Sequence, residues 1–236
     1  IPEGHEHHHL RHSHVLQLLR PIYGLKQAGR LWNQRLHAAL VKFGMRRTIV
    51  DECLYVLNTD EGIELIVGIH VDDLACTGTD AKLAKLDKFL NTEFDNTVVS
   101  GPLEWFLGVK YDYNRVTGEL WASQAGYVDQ LCERFSPHLD NVKPVATPQA
   151  PDVELSKEQS PSTEQEIEAA RHYRFLELLG GLRWLADKTR LDLRPGLSAL
   201  AKFSHCYGKA HWDALLRMGA YVKGTRERGL YTRADP

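Results

Sequence analysis

Apolar runs separated by turn-forming sequences restrict this 236-residue chain to a small set of folds. Residues 53–57 and 63–71 are β-prone and flank the turn-forming segment 58–62, which predicts a hairpin. Asp72 and Asp73 then interrupt the apolar run before it resumes, and a second hairpin is expected there. The pattern therefore predicts antiparallel strands with two adjacent carboxylates at a hairpin tip.

A third hairpin and several helices are predicted in the same way. Residues 105–113 and 119–123 flank the turn sequence 114–118 and are expected to pair as strands. Apolar residues three and four positions apart predict helices around these hairpins, and the last part of the chain reads as all-helical. Thr79 or Asp80 can cap one helix, Thr163 and Glu166 form a possible capping pair, and Gly44 is placed to end the first helix. The helical patterns cover residues 25–43, 79–94, 127–135, 173–185, 195–203 and 211–222. Hairpins and separate helices indicate an α+β fold.

Composition divides the chain into four segments. Six of the 12 histidines lie in residues 1–14, which read either as a metal-binding tract or as a solvated tail. The tail is favoured, because no apolar periodicity fixes a coordination geometry there. Four prolines with Ser, Glu and Gln between them make residues 143–162 a predicted linker. This linker separates a mixed region, 15–142, from a helical region, 163–236.

Composition and charge exclude several classes of protein. A hydrophobic fraction of 43% and a charged fraction of 25% are typical of a folded domain. No run approaches the roughly 18 consecutive apolar residues of a membrane span, and no signal peptide is recognisable, so a soluble intracellular protein is expected. The four cysteines lie far apart, which argues against a zinc ribbon or a disulfide scaffold. A net charge of −2 gives no overall positive potential that would attract a polyanion, although a local basic groove can coexist with it.

The pair Asp72 and Asp73 has two readings on its own. Aspartate is a common turn residue, and most such pairs serve only the turn. Two carboxylates on a rigid hairpin are also ligands that Mg²⁺ prefers, because this cation takes oxygen ligands and leaves positions for substrate phosphates. The choice depends on a second motif, residues 23–32, which reads Tyr-Gly-Leu-Lys-Gln-Ala-Gly-Arg-Leu-Trp.

This motif, with the Asp-Asp hairpin downstream, resembles the reverse transcriptase domain of copia-type retrotransposon polyproteins. The family's pattern is Tyr-Gly-Leu-Lys-Gln-Ala, any residue, Arg, any residue, Trp. Further elements of that pattern recur in the same order and extend the resemblance over nearly all of the chain. They are Phe-Leu-Gly-Val at 106–109, Ser-Gln at 123–124 with Tyr127, Pro-Val-Ala-Thr-Pro at 144–148, Thr-Arg-Leu-Asp at 189–192 and Lys-Gly-Thr at 223–225.

The resemblance implies a right-hand polymerase, with an antiparallel palm sheet backed by helices and followed by helical thumb and connection regions. Residues 15–142 would hold part of the fingers, the palm and the start of the thumb, and residues 163–236 the connection. Asp72 and Asp73 match the family's Tyr-x-Asp-Asp loop, which implies a catalytic site with two Mg²⁺ ions for nucleotidyl transfer. Asp72 would be a direct metal ligand, and Asp73 would support the loop and the metal field.

Four more residues are implied to bind nucleotide or template. Gln27 would lie where the palm meets the incoming nucleotide, and Lys26 and Arg30 would contact phosphates. Alternatively, the basic residues form only the solvated face of an amphipathic helix. His70 stands where the family has Tyr. A histidine is smaller and titrates near neutrality, so any stacking on primer or nucleotide would be altered.

Several aromatic residues are better explained by packing than by ligand binding. Trp32 lies at helical spacing with Leu36 and is expected in the core. Trp105 and Phe106 occupy the segment of the family's primer grip, but buried strand aromatics are the commoner case. For the pair His211-Trp212, helix packing is preferred to a metal role.

The implied partners are an RNA template, a DNA primer, deoxynucleoside triphosphates and the rest of the polyprotein, including integrase and RNase H, with no membrane contact. The implied location is a cytoplasmic virus-like particle or the nucleus. In the family a third metal-binding Asp lies upstream, before a Pro-x-Gly-Phe segment that residues 2–5 resemble. The chain begins after that strand, so little or no polymerase activity is expected of this polypeptide by itself. A non-catalytic remnant that keeps the fold and weak nucleic-acid binding is the alternative.

Overall fold

The computed structural model of the chain describes residues 18, 21–60, 62–140 and 142–233. The chain divides after Gly101 into two compact units, here called the first and the second unit. In the described part, each unit contains one antiparallel sheet and one hydrophobic core. The expected combination of antiparallel strands and helices is therefore confirmed. The histidine-rich segment 1–14 lies outside the described residues.

The first unit is a sheet covered by two helices. Its strands follow the chain order, β1-β2-β3-β4, and each pairs with the next in antiparallel register. Leu65, Val67 and Ile69 alternate along β3 and point to one face, where they join both helices in a single core. The elements are α1 (Ala28–Lys42), β1 (Arg46–Arg47), β2 (Leu54–Thr59), β3 (Gly62–His70), β4 (Asp73–Gly78) and α2 (Asp80–Glu93).

The predicted ends of the two helices are confirmed with one correction. Thr79 caps α2, because its hydroxyl accepts a hydrogen bond from the backbone N–H of Lys82 at 3.4 Å. Gly44 follows α1 with a φ of +104°, a conformation that glycine adopts without strain. The prediction that α1 begins at Leu25 is wrong by three residues. Gly24 has a φ of +90°, and a turn precedes the first helical residue.

The second unit joins a sheet to a group of helices. The predicted strand over 105–113 is instead two strands, because Leu107 and Gly108, with φ of 52° and 75°, form a tight turn inside it. The elements are β5 (Trp105–Phe106), β6 (Val109–Asn114), β7 (Glu119–Ser123), α3 (Ala125–Arg134), α4 (Ser136–Leu139), α5 (Glu164–Arg171), α6 (Phe175–Lys188), α7 (Arg194–Ala201), α8 (Lys209–Gly224) and β8 (Leu230–Arg233), with short 3₁₀ turns at 157–159 and 191–193.

The helical tail holds one strand that the sequence pattern did not predict. β8 returns to the sheet and pairs with β7, which gives the order β5-β6-β7-β8. The capping pair at the start of α5 is confirmed: Thr163 Oγ1 accepts from the Glu166 N–H at 3.3 Å, and Glu166 Oε2 accepts from the Thr163 N–H at 3.0 Å. The expectation of an all-helical tail is therefore wrong in its last residues.

The core of the second unit also takes in the proline-rich segment. Val145 and Leu155 pack against buried side chains of α3, α6, α7 and α8. Residues 143–162 thus lie against the helices of the second unit, since burying these two apolar side chains is favourable. The assignment of the four sequence segments to polymerase subdomains stays a prediction. Within the described residues, no helix combines the length and the apolar character needed to cross a bilayer.

Candidate functional site

The hairpin between β3 and β4 presents two adjacent carboxylates to solvent. His70 and Asp73 form the last strand pair, which leaves Val71 and Asp72 as a two-residue turn. These four residues are called the hairpin tip, and all four are exposed. Val71 has a φ of 57°, a left-handed conformation that is strained for a β-branched residue. The predicted position of Asp72 and Asp73 at a hairpin tip is confirmed.

Two side chains of the 23–32 motif hold this tip. The Tyr23 hydroxyl donates to Asp72 Oδ2 at 3.0 Å, across 49 residues of sequence. The Trp32 indole Nε1–H donates to the Val71 carbonyl at 2.8 Å, across 39 residues. The structure therefore brings together the two motifs on which the family resemblance rests.

Tyr23 is a site residue that the sequence reading did not select. Its hydrogen bond to Asp72 raises the pKa of the phenol, and the charges of Asp72 and Asp73 act in the same direction. Tyr23 is 89% exposed, so the contact with the carboxylate, and not burial, fixes its place. The signal available in the sequence was its position as the first residue of the motif.

Trp32 has both the expected packing role and a second one. Its ring packs against Phe94 with centroids 5.3 Å apart and contacts the core of the first unit. Its indole N–H reaches the hairpin tip. Arg35, on the same helix, donates to the Glu93 carbonyl at 3.3 Å and lies 5.0 Å from the Phe94 ring centroid. Arg35 therefore supports the packing of α1 on α2.

The remaining predicted binding residues surround the start of α1. Lys26 and Gln27 precede the helix, Arg30 lies in its first turn, and all three side chains are exposed. In the described ranges, no carboxylate forms an ion pair with Lys26 or Arg30. Two cations close in sequence to Tyr23 are thus available to an anionic ligand. His70 is exposed and pairs in register with Asp73.

The donor set of the hairpin tip fits a hard cation such as Mg²⁺. Mg²⁺ is commonly held by one or two carboxylates, with waters and substrate phosphates completing an octahedron. Asp72 and Asp73 supply carboxylate oxygens of this kind. Among the residues that the structure describes, no group of three or more His, Cys, Asp and Glu side chains could hold a metal. The tip therefore offers two protein ligands and leaves the other positions to further donors.

Two expectations about aromatic residues have different outcomes. Trp105 is 61% exposed, so its assignment as a buried strand aromatic is wrong, whereas Phe106 is partly buried. His211 and Trp212 pack inside the second unit as expected. His211 Nδ1 accepts from the Gly208 N–H at 3.0 Å, and its Nε2 lies 3.1 Å from the Ser156 carbonyl, so both ring nitrogens are used.

A second set of motif residues forms a buried polar cluster in the second unit. Arg190 is 2% exposed and makes two hydrogen bonds to Asp192, at 3.0 and 2.9 Å. It also donates to the Thr225 carbonyl at 3.2 Å and to the Thr225 hydroxyl at 2.8 Å. The Tyr221 hydroxyl donates to Asp192 at 2.7 Å. This Arg190 cluster joins the Thr-Arg-Leu-Asp element to the Lys-Gly-Thr element.

Known proteins are similar to this chain over most of its length. A family model described as reverse transcriptase (RNA-dependent DNA polymerase) matches residues 2–151. The chain is 33% identical over 225 residues to the Retrovirus-related Pol polyprotein from transposon TNT 1-94 of Nicotiana tabacum, which covers 95% of this chain and 17% of that protein. It is 32% identical to the Retrovirus-related Pol polyprotein from transposon RE2 of Arabidopsis thaliana, over 94% of this chain and 14% of that protein.

A yeast relative extends the similarity beyond plants. The putative transposon Ty5-1 protein of Saccharomyces cerevisiae is 24% identical over 94% of this chain and 69% of its own length. No solved structure matches the chain. The chain therefore belongs to the reverse transcriptase (RNA-dependent DNA polymerase) family of copia-type Pol polyproteins, and the resemblance inferred from its motifs is confirmed. It spans less than a fifth of the length of the two plant polyproteins.

Proposed function

We propose that this chain is part of an RNA-directed DNA polymerase whose metal site lies at the hairpin tip, with Asp72 and Asp73 as Mg²⁺ ligands. The observation that carries the proposal is the hydrogen bond from Tyr23 to Asp72, at 3.0 Å. It ties the acidic turn to the 23–32 motif, so carboxylates for a cation and side chains for a nucleotide lie in one part of the first unit.

Each residue of the proposed site has a distinct task. Asp72 is the direct ligand, because it lies at the apex of the turn and its carboxylate is oriented by Tyr23. Asp73 opens β4 and adds a second carboxylate beside it. Lys26 and Arg30 bind the phosphates of the incoming nucleotide or of the template, since Lys and Arg donate charge-assisted hydrogen bonds to phosphate oxygens. Gln27 lies where the palm meets the incoming nucleotide.

The bound cation and the substrates follow from the family's chemistry. Mg²⁺ held at the tip would supply Lewis-acid stabilisation to phosphoryl oxygens during two-metal nucleotidyl transfer. The partners are an RNA template, a DNA primer and deoxynucleoside triphosphates. We assign residues 15–142 to part of the fingers, the palm and the start of the thumb, and residues 163–236 to the connection. The rest of the polyprotein, with integrase and RNase H, works in a cytoplasmic virus-like particle or in the nucleus.

A non-catalytic remnant is the second candidate, and two observations favour it. Among the described residues, no group of three or more His, Cys, Asp and Glu side chains could hold a metal ion, so Asp72 and Asp73 have no third protein ligand there. His70 also occupies the place of the family's Tyr beside the acidic pair. We therefore expect the 236-residue polypeptide by itself to extend primers poorly or not at all. A remnant would keep the fold and bind nucleic acid weakly.

Metal binding in the presence of nucleotide tests the proposed site directly. Mn²⁺, a paramagnetic substitute for Mg²⁺, is titrated into the chain with a deoxynucleoside triphosphate, and bound Mn²⁺ is followed by electron paramagnetic resonance. We expect Asp72→Asn to weaken Mn²⁺ binding about tenfold or more, because it removes a charged ligand. Asp60→Asn is the matched control, since Asp60 is an exposed aspartate in the turn at the other end of β3. Equal affinities for Asp72→Asn and the unchanged chain would refute the assignment.

Primer extension separates the enzyme from the remnant. The assay uses an RNA template, Mg²⁺ and the chain joined to the upstream family segment that carries the third Asp. A polymerase extends the primer, and Asp72→Asn abolishes extension while Asp60→Asn does not. Absence of extension by the joined protein, with Mn²⁺ binding also absent, would support the remnant.

A further inference from the structure

A cavity in the second unit lies between the proline-rich segment and two helices. Residues 148–155 form one wall, and side chains of α7 and α8 form the other. Its volume is about 300 Å³, whereas packed protein interiors leave few voids larger than a water molecule. The space is called the Arg217 cavity, because Arg217 is the cation in its wall.

Short and aliphatic side chains give the Arg217 cavity a mainly apolar lining. Ala210 and Ala214 lie one turn apart on α8, so this stretch of the helix presents only methyl groups to the cavity. Leu155 adds aliphatic surface from the proline-rich segment, and Leu200 adds it from α7. Val153 also lines the cavity but is 54% exposed, so the cavity opens to solvent there. Such a lining suits a ligand with an apolar body.

Two charged residues line the cavity, and the acidic one already has a partner. Asp213 lies one turn before Arg217 on α8, but its carboxylate pairs with Lys209 at 2.6 Å. Among the residues that the structure describes, no carboxylate forms an ion pair with Arg217. Asp152 and Glu154, in the wall segment, are exposed and do not line the cavity. The charge left without a partner in the lining is therefore positive.

The Arg217 guanidinium also has a donor without an acceptor. Its Nη2 donates to the Thr147 hydroxyl at 3.1 Å, which ties α8 to the proline-rich segment. Its Nε is buried and has no hydrogen-bond partner in the described part of the chain. A buried donor without an acceptor is destabilising, and a carboxylate is the acceptor that matches the parallel donors of a guanidinium.

We infer that the Arg217 cavity binds a small apolar carboxylate, such as a medium-chain fatty acid. The hydrocarbon chain would lie between residues 148–155 and α8, and the carboxylate would pair with Arg217. The volume holds on the order of ten non-hydrogen atoms, at about 30 Å³ for each water-sized group, so a helix of another protein does not fit inside. The inference does not rest on the proposed function, since no residue of the hairpin tip or of the 23–32 motif lines the cavity.

NMR of the methionine methyl groups tests this inference, because the chain has two methionines. Met218 lines the cavity, whereas Met45 lies in the core of the first unit and serves as the internal control. The full chain, labelled with ¹³C at these methyl groups, is titrated with octanoate in the presence of EDTA. Octanol, which has the same chain length but no charge, is titrated in parallel. We expect octanoate to shift the Met218 resonance saturably and to leave the Met45 resonance in place.

Two variants separate the charge from the apolar lining. Arg217→Gln should weaken octanoate binding about tenfold and octanol binding less than about twofold, because only the carboxylate loses an ionic partner. Ala214→Leu should weaken the binding of both ligands, because the larger side chain fills the cavity. Arg183→Gln is the matched control, since Arg183 lies on α6, pairs with Asp187 at 3.7 Å and does not line the cavity.

Three results would overturn the inference. They are an unmoved Met218 resonance, equal affinities of the unchanged chain for octanoate and octanol, and equal losses of octanoate affinity in the Arg217→Gln and Arg183→Gln variants. A dimer that sedimentation detects and Ala214→Leu dissociates would identify a second copy of the chain as the occupant and would also overturn it. Failure of Asp72→Asn to affect Mn²⁺ binding would count only against the proposed function.

Discussion

The hairpin tip and the Arg190 cluster are both built from motif residues, but the charged group is exposed at the tip and buried in the cluster. At the tip, Asp72 is exposed and accepts one hydrogen bond from a protein side chain, that of Tyr23. In the cluster, Arg190 is buried and bound by Asp192 and Thr225 through four hydrogen bonds. A buried charge must be paired to be tolerated, whereas an exposed carboxylate can exchange water for a ligand. The difference suggests that the cluster stabilises the fold and that the tip serves binding.

Removal of Arg190 is expected to have the largest effect on stability. Arg190→Met leaves Asp192 and Thr225 without their main partner, and breaking such a buried pair should lower the free energy of unfolding by about 3 kcal/mol. Burial alone would raise the pKa of Asp192, yet the hydrogen bonds from Arg190 and Tyr221 outweigh it and the pKa is lowered. Urea denaturation followed by circular dichroism measures the loss.

Arg171→Met is the control for this change. Arg171 lies on α5 in the same unit and forms an exposed ion pair with Glu168. Exposed pairs contribute little, so its effect should stay below about 0.5 kcal/mol. Similar losses for the two variants would mean that the Arg190 cluster is not a structural centre of the second unit.

A smaller effect is expected at the hairpin tip, from Trp32→Phe. Phenylalanine keeps the ring against Phe94 but removes the donor to the Val71 carbonyl, and one such hydrogen bond is worth about 1 kcal/mol. Because Val71 is held in a strained conformation, the loosened turn should also weaken Mn²⁺ binding at Asp72. Denaturation and the Mn²⁺ titration measure the two consequences.

Trp184→Phe controls for the loss of an indole elsewhere. Trp184 lies on α6 of the second unit and is 41% exposed. This variant should leave Mn²⁺ binding unchanged. If Trp32→Phe also left stability and Mn²⁺ binding unchanged, the indole would not be needed to hold the tip.

The sequence predicted local features well and long-range contacts poorly. The acidic hairpin, the Thr79 cap and the Thr163–Glu166 capping pair each depend on a few neighbouring residues, and all three are present. The contact of Tyr23 with Asp72 joins residues far apart in sequence, so no periodicity reports it. The turn at Leu107 was missed for another reason. A non-glycine residue there takes a positive φ, which turn composition does not predict.

The pairing of β8 with β7 also could not be predicted from the order of the elements along the chain. Four residues, Leu230–Arg233, follow a long helix and carry no turn signal to a neighbouring strand. Their partner, β7, ends more than a hundred residues earlier in the chain. Register between such distant strands is set by tertiary packing, so the sequence pattern alone does not show that β8 joins this sheet.

The smallest expected effect is a pH dependence of the helix start at Glu166. The exposed Glu166 carboxylate accepts hydrogen bonds from several donors, whereas the Asp72 carboxylate accepts one from Tyr23. Backbone and side-chain hydrogen bonds from Ser162 and Thr163 lower its pKa from 4.5 to about 2. A carboxylate with a lowered folded-state pKa stabilises the fold above its unfolded pKa and loses this contribution as the pH falls. The start of α5 should therefore weaken between pH 4.5 and pH 2, which the amide shifts of Ser162 and Thr163 in NMR spectra would report. Glu166→Gln should remove this pH response and Glu164→Gln should not. An unchanged response in the Glu166→Gln variant would show that the capping carboxylate does not control the helix start.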